Sequence, residues 1–333
     1  MKQFKIIWSV LCTALCSVVY AILVLWPKPG VSADGYPNRP IRLIIPFAPG
    51  GATDVVARIL GSKLTEKLGQ QIVMDIRPGA GSVLGTDIGA KASPDGYTIV
   101  LVATAHVLNT GLLARLPYDA ITDFSPISMV VESPLIFLVP PNLGVNTIGE
   151  LIATAKAKPG SMSYGSAGQG TSGHLATELL KLRAGIQMIH VPYKGAGQAL
   201  IDLLGGQIQM LCTSTVPSLP HVRTGKLKGI AVTTRTRSRA APEIPTVAES
   251  GLPGFQATTW YALLAPAKTP EPIIKTLHLA LTQVLRTPAV AEQLIAQGAE
   301  PMPNSPDELR HFFKNEIEIW TKVIKQANIR PNT

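Results

Sequence analysis

The stretch IIPFAPGGATDVVARIL, Ile44 to Leu60, runs from an apolar strand through Pro49-Gly50-Gly51 straight into a helical pattern. Ile41 to Phe47 reads as a buried strand. Thr53 to Leu68 follows as a helix with Val56, Ile59, Leu60, Leu64 and Leu68 on one side and Gly69 as its stop. A loop this poor in side chains lets main-chain N–H groups approach whatever lies beyond it. A helix that begins there adds unpaired donors and a partial positive charge.

Outward from that stretch the plan repeats. The run IVMDI, a helix near Val83 to Lys91 and the run YTIVLV continue a strand-helix alternation, the mark of a mostly parallel, doubly wound sheet. A second series begins after PLIFLVPPNLGVNT, where Thr147 and Glu150 form a capping box. SMSYGSAGQGTSGHLATELLKLR then repeats strand, glycine loop and helix, and IQMIHVPYKG, ALIDLLGGQIQMLCTS and LKGIAVTT supply further strands. Helical patterns at Pro272 to Leu285 and Pro306 to Gln326, with no strand between them, fit elements wrapped back onto the first series. The resulting expectation is α/β, two doubly wound domains joined by two crossover strands, Leu135 to Val139 and Tyr261 to Ala265. The boundaries are 36–135 plus 265–330 for one domain and 136–264 for the other, with a cleft between them.

Composition narrows the function. The 333 residues are 46% apolar and 5% aromatic, enough for two packed cores and too few rings for base-stacking platforms. Near the N-terminus, Lys2 and Lys5 precede an uncharged run from Ile6 to Trp26, and Val31-Ser32-Ala33 offers a small-x-small cleavage site. Residues 1–33 are therefore an export signal, directing the chain to the periplasm, or an anchor in the membrane where cleavage fails. Removing Lys2, Lys5 and Lys28 lowers the formal charge from +9 to +6, an excess that still favours anions. The one dense basic cluster, Arg235 to Arg239, lacks a nucleic-acid motif around it and reads as a solvated loop, so no nucleic-acid partner is expected. Cys212 alone survives beyond the leader, and it reads as a buried strand thiol. His106, His174, His190, His221, His278 and His311 are scattered without metal spacing, so neither metal nor cofactor is expected.

The two loops, PFAPGGATD and YGSAGQGTSGH, contain neither Lys nor Arg. That suits a carboxylate held by main-chain amides and hydroxyls. The candidates are Phe47, Ala48, Pro49, Gly50, Gly51, Thr53 and Asp54 in the first, and Ser166, Gly168, Gly170, Thr171 and Ser172 in the second. Thr53, Ser166, Thr171 and Ser172 are also natural N-caps. Asp54 is better placed to brace the first helix than to meet an acid. Tyr193 and Lys194 lie at a further strand-to-helix turn, where Lys194 either supplies charge to the ligand or caps a loop. His174 falls in the first turn of its helix and is not read as a proton carrier. Catalytic readings are weaker: Ser166 lies outside any G-x-S-x-G elbow, and no spacing implies an Asp or His partner. GSAGQG and GAGSVLG both miss the dinucleotide glycine order.

At this point the residues resemble a known family. PIRLIIPFAPGGATDVVAR, RPGAGSVLGTD, SPDGYT, LPYDAITDFSPIS, YGSAGQGTSGHLATELL, VPYKGAGQALIDLLGGQ, LPHVRTGKLKGIAVTT and PTVAESGLPGF are similar to the Bug-type receptors of tripartite tricarboxylate transporters, from about Tyr36 almost to the C-terminus. The resemblance implies a type II periplasmic-binding-protein topology and a monomeric extracytoplasmic receptor closing on a small carboxylate. It implies membrane transporter subunits as partners, and places Phe47 to Asp54 and Ser166 to Ser172 at the ligand. A signalling receptor, or an exported hydrolase acting through Ser166, are the rival readings. Two departures stand out. Gln209, Thr213 and Ser214 replace acidic or amide residues of many relatives, so the ligand's far end differs if that segment lines the pocket. Thr110 stands where Pro is common, a change expected to affect only a turn.

Overall fold

A computed structural model describes residues 35–326. The chain divides into two compact units, Met1–Tyr36 and Pro37–Thr333, and the architecture that follows is that of the second. The leader expected over residues 1–33 lies outside the described residues. No helix among the described residues is long and apolar enough to cross a membrane.

Strand β1 (Ile41–Ile45) is buried at four of its five positions because helices cover both faces of its sheet. Gly50 and Gly51 turn the chain into α1 (Ala52–Leu68), which buries Val56, Ala57, Leu60 and Leu64. Gly69 closes it in the left-handed region at φ 68°, its N–H donating to the Thr65 carbonyl. β2 (Ile72–Ile76), α2 (Val83–Ala90) and β3 (Thr98–Ala103) follow, and β2, β1 and β3 lie parallel in that order. The expected alternation is thus realised. α3 (Ala105–Leu112) springs directly from β3 and was not foreseen. Thr110 lies inside it, its hydroxyl donating to the Val107 carbonyl at 2.7 Å, so the expected turn there is corrected to helix.

The next strand, β4 (Phe124–Val139), has 16 residues rather than the short crossover expected. The second series then reads α4 (Ile148–Ala157), β5 (Ser163–Ser166), α5 (Ser172–Ala184), β6 (Ile189–Pro192), α6 (Ala196–Leu204), β7 (Met210–Ser214), α7 (Thr215–Arg223) and β8 (Lys228–Val232). β9 (Thr258–Pro266), α8 (Glu271–Arg286), α9 (Pro288–Ala296), the two-residue β10 (Glu300–Pro301) and α10 (Pro306–Gln326) complete it. Thr147 caps α4 by accepting the Glu150 N–H at 3.1 Å, as the capping box predicts, while the Glu150 carboxylate takes the Asn146 N–H.

Strand order is β2-β1-β3-β9-β4-β7-β5-β6, with β8 and β10 also on β4. The outer strands run parallel, but β9 is antiparallel to β3 and β4, and β4 is antiparallel to β7. β4 changes partners within itself. Phe124 to Pro134 pair with β9, whereas Leu135 to Val139 lie between β7 and β8. Pro134 has no N–H to offer a ladder and stands at the change. The returning chain crosses at the same level, since the Ala257 N–H donates to the Thr233 carbonyl at 3.0 Å and Thr258 pairs with Pro134.

One core packs Ile44, Val100, Leu108 and Trp260 with Leu309 and Phe313 of α10. Two others cover the faces of the second sheet, around Phe137, Tyr164 and Phe255 on one side and Ile136, Leu200 and Leu211 on the other. The C-terminal helices thus return to the first series. Each fully buried side chain of this size contributes roughly 1.5 to 3 kcal/mol.

Candidate functional site

Phe47 and Ala48 are buried, Pro49 and Gly50 are exposed, and Gly50 takes φ 80°, a conformation that favours glycine. Asp54 accepts the Gly50 N–H at 3.0 Å on Oδ2 and pairs through Oδ1 with Arg58 Nε at 3.0 Å. It braces the loop, the role its position suggested. Gly51 occupies the cap position of α1 and no side chain caps the helix. The first intrahelical donor is Val55, bonded to the Gly51 carbonyl at 3.1 Å, so the N–H groups of Ala52, Thr53 and Asp54 precede the helix ladder. Thr53 lies within the helix, not at its cap, which corrects that part of the expectation.

The second loop is built alike. β5 ends at Ser166, Gly168 and Gly170 take φ 134° and 76°, and Thr171 occupies the cap position of α5. Its hydroxyl donates instead to the Gly168 carbonyl at 2.7 Å, and Ser172 donates to Thr259 Oγ1 at 3.1 Å. Neither hydroxyl oxygen accepts a helix N–H; each hydroxyl is used as a donor, to the loop's own carbonyl and to the neighbouring strand. The N–H groups of Ser172, Gly173 and His174 precede the first helical bond, from Leu175 to the Thr171 carbonyl at 3.1 Å.

Both helix starts border one cavity of about 50 Å³. Phe47, Gly51, Thr53, Thr171 and Ser172 line it, together with Ala105 at the start of α3, Ala196 at the start of α6, and Thr213 and Ser214 at the entry to α7. Five helices therefore begin on its wall. Leu135, Cys212, Thr259 and Tyr261 close it, and none of the lining side chains is an acid, a base or a histidine. Burial pushes the Tyr261 phenol up to about 12 and the Cys212 thiol further still, so both stay neutral.

The remaining sequence candidates lie around this cavity without lining it. Ala48, Pro49 and Gly50 rest against α6, and the Ala48 N–H donates to the Lys194 carbonyl at 3.1 Å. The Lys194 residue is exposed, and Tyr193 turns its hydroxyl to Asp202 at 2.6 Å. Gly168 and Gly170 pass close to Gly81 and Asn109 of the first series, where a Cβ would crowd. Sequence reasoning missed Ala105, Thr259 and Tyr261. The small residues of VATAHV between a strand and an apolar helical run were the one available signal for the α3 start. The segment that departs from relatives does reach the wall through Thr213 and Ser214, while Gln209 faces away and accepts from Ser163.

Ser166 is fully buried, and its Oγ lies 2.7 Å from His190 Nε2, a partner that no spacing in the sequence implied. His190 stacks between His174, at 4.2 Å between centroids, and Tyr164 at 4.9 Å. Burial, reinforced by His174 and Lys181, pulls the His190 imidazole down to about 3, and burial pulls His174 to about 4. A neutral His174 accepts the Gly170 N–H on Nδ1 at 3.3 Å and holds the glycine loop onto α5. The pair thus braces the loop from behind.

The chain is similar to known proteins along most of its length. The family model for the tripartite tricarboxylate transporter family receptor, TctC, matches residues 56–329. Protein BugT of Bordetella pertussis is 41% identical over 302 residues, spanning 90% of this chain and 93% of that protein. Two solved structures superpose closely. Rpa4515 of R. palustris with adipate is 34% identical, with a TM-score of 0.87 over 89% of this chain and 100% of its own. MatC of Rhodopseudomonas palustris with bound malate is 32% identical, with a TM-score of 0.83 over 87% of this chain and 100% of its own. On the extent of these matches, the chain belongs to the tripartite tricarboxylate transporter receptor family.

Proposed function

We propose that this receptor captures a small organic acid in the cavity between its two sheets and hands it to a membrane transporter. The observation that carries this is the convergence of five helix starts on one wall that bears no charged side chain. Hydrogen bonds to a charged group contribute roughly 1.5 to 3 kcal/mol each, and a helix N-terminus about 0.3 to 2 more. A few such contacts reach the ~8 kcal/mol of micromolar binding after ordering costs. The bound adipate and malate of the two structural relatives support a carboxylate ligand.

The lobes are 36–135 with 265–330, and 136–264, and they flex where β4 and the segment before β9 cross. The chain acts outside the cytoplasm, exported by residues 1–33, works as a monomer and turns nothing over. A thermal-shift screen of organic acids tests the reading, since a binder raises the melting temperature by mass action. Gly51 has room for a methyl, its nearest neighbour standing 3.6 Å from an added Cβ. Gly51→Ala should therefore keep the shift, whereas the branched Gly51→Val should abolish it and still fold. A full shift with Gly51→Val, or no shift with any acid, would sink the proposal.

A further inference from the structure

The loop between β2 and α2 is strained. Gly79, Ala80, Gly81 and Ser82 take φ 144°, 48°, 61° and 82° in succession, and Ala80 and Ser82 each carry a Cβ that crowds the backbone there. Such a conformation persists only where its surroundings over-determine it. Two side chains do so here. Asn109 of α3 donates through Nδ2 to the Gly81 carbonyl at 3.0 Å, and the Thr86 hydroxyl donates to the Ser82 carbonyl at 2.8 Å. The other side of the loop rests on the second series. A Cβ on Gly81 would overlap the Gln169 carbonyl oxygen, and one on Gly168 would stand 3.4 Å from Gly81 Cα. A Cβ on Gly170 would come within 2.5 Å of Asn109 Oδ1.

Asn109 therefore holds the strained loop with its nitrogen and faces the second glycine loop with its oxygen. It is buried and does not border the cavity, so it reaches a ligand only through those two loops. Without its hydrogen bond the loop is free to relax towards unstrained φ, which draws Gly81 away from Gln169. We infer that Asn109 is a positioning residue: by fixing the strained loop it seats the second glycine loop against the first series and sets how firmly the two series stay closed. Only the effect on a ligand rests on the acid-receptor reading. A contact made on closure restrains a ligand that has already entered, so its loss speeds escape and leaves entry unchanged.

Hydrogen exchange of the ligand-free full chain tests the seat by itself. Asn109→Leu keeps the size of the side chain and deletes the donor. In the second glycine loop the Gly168, Gly170 and Thr171 N–H groups are bonded to Ser166, His174 and the Gly168 carbonyl. Exchange should rise about tenfold or more both in residues 79–83 and in residues 168–171, while α8 keeps the parent's rates. Faster exchange in the first loop alone overturns the inference. Stopped-flow mixing with adipate, or with malate where only that acid binds, should show dissociation about tenfold faster or more and association within about twofold of the parent. An unchanged dissociation rate, or a loss carried by slower association, also overturns it. A parent that binds neither acid counts against the acid reading and leaves hydrogen exchange to decide the seat. Gly81→Ala keeps Asn109 and obstructs the same contact, so it should move both readouts in the same direction, and it decides the matter where Asn109→Leu does not fold.

Discussion

The main-chain N–H of Ala48 donates to the carbonyl of Lys194 at 3.1 Å, tying the loop after β1 to the loop after β6. Beside that bond the two backbones nearly touch. A methyl on Gly197 would overlap the Pro49 carbonyl oxygen and come within 3.0 Å of Gly50 Cα. Gly197 lies inside α6, where alanine is intrinsically favoured by roughly 1 kcal/mol. Gly197→Ala should nonetheless push the loop after β1 off α6, lower stability by about 1 to 3 kcal/mol as an overpacked contact does, and bind an organic acid at least tenfold more weakly. Scanning calorimetry and titration of the same preparation check both halves, and undiminished affinity would show that this approach is not needed for binding.

Acid should weaken the fold through three buried imidazoles. Burial pulls the imidazoles of His106 and His174 down to about 4 and that of His190 to about 3. In the unfolded chain they take up protons near 6.5. Between these values the unfolded state binds more protons, so stability is complete above pH 6.5 and is lost as pH falls towards 4. For the two most buried, His106 and His174, the loss is on the order of 2 kcal/mol each by pH 5. Asp119, held below the ordinary carboxylate value by the N–H groups of Thr122 and Ile121, contributes only at lower pH. The urea midpoint should thus fall between pH 7.5 and 5, and a flat profile would contradict neutral burial.

Ser133 joins the two series at the change of strand partners. Its hydroxyl is fully buried, 2.8 Å from Ser214 Oγ, 3.0 Å from Thr215 Oγ1 and 2.9 Å from the Gly298 carbonyl. Ser133→Ala removes a shared partner from three groups and should cost about 1 to 3 kcal/mol. A double-mutant cycle with Ser214→Ala should give a coupling above about 0.5 kcal/mol, because the two sites share one network. Additive losses in urea unfolding would mean that the hydroxyls act independently.

Much of this molecule is written locally. The runs IRLII and TIVLV announce buried strands, Gly69 announces a helix stop, and Thr147 with Glu150 announces a helix start, because each depends only on neighbours a few residues away. The two glycine loops were legible for the same reason, each being a strand, a turn and a helix in a row. Their approach to one another was not. Ala105, Thr213, Thr259 and Tyr261 reach the cavity from segments far apart in the chain, and nothing local marks a strand residue as facing a cavity instead of a core. The use of each hydroxyl was equally hidden: Thr171 looks like a cap, and only the folded loop shows its hydroxyl donating to the Gly168 carbonyl with no helix N–H on its oxygen. The sequence by itself determined the elements, the donor-rich loops and the family resemblance. Tertiary structure alone decided that β4 serves both sheets, that His190 stands behind Ser166 and that the cavity wall carries no charge, since these are distances between residues that chain order does not constrain.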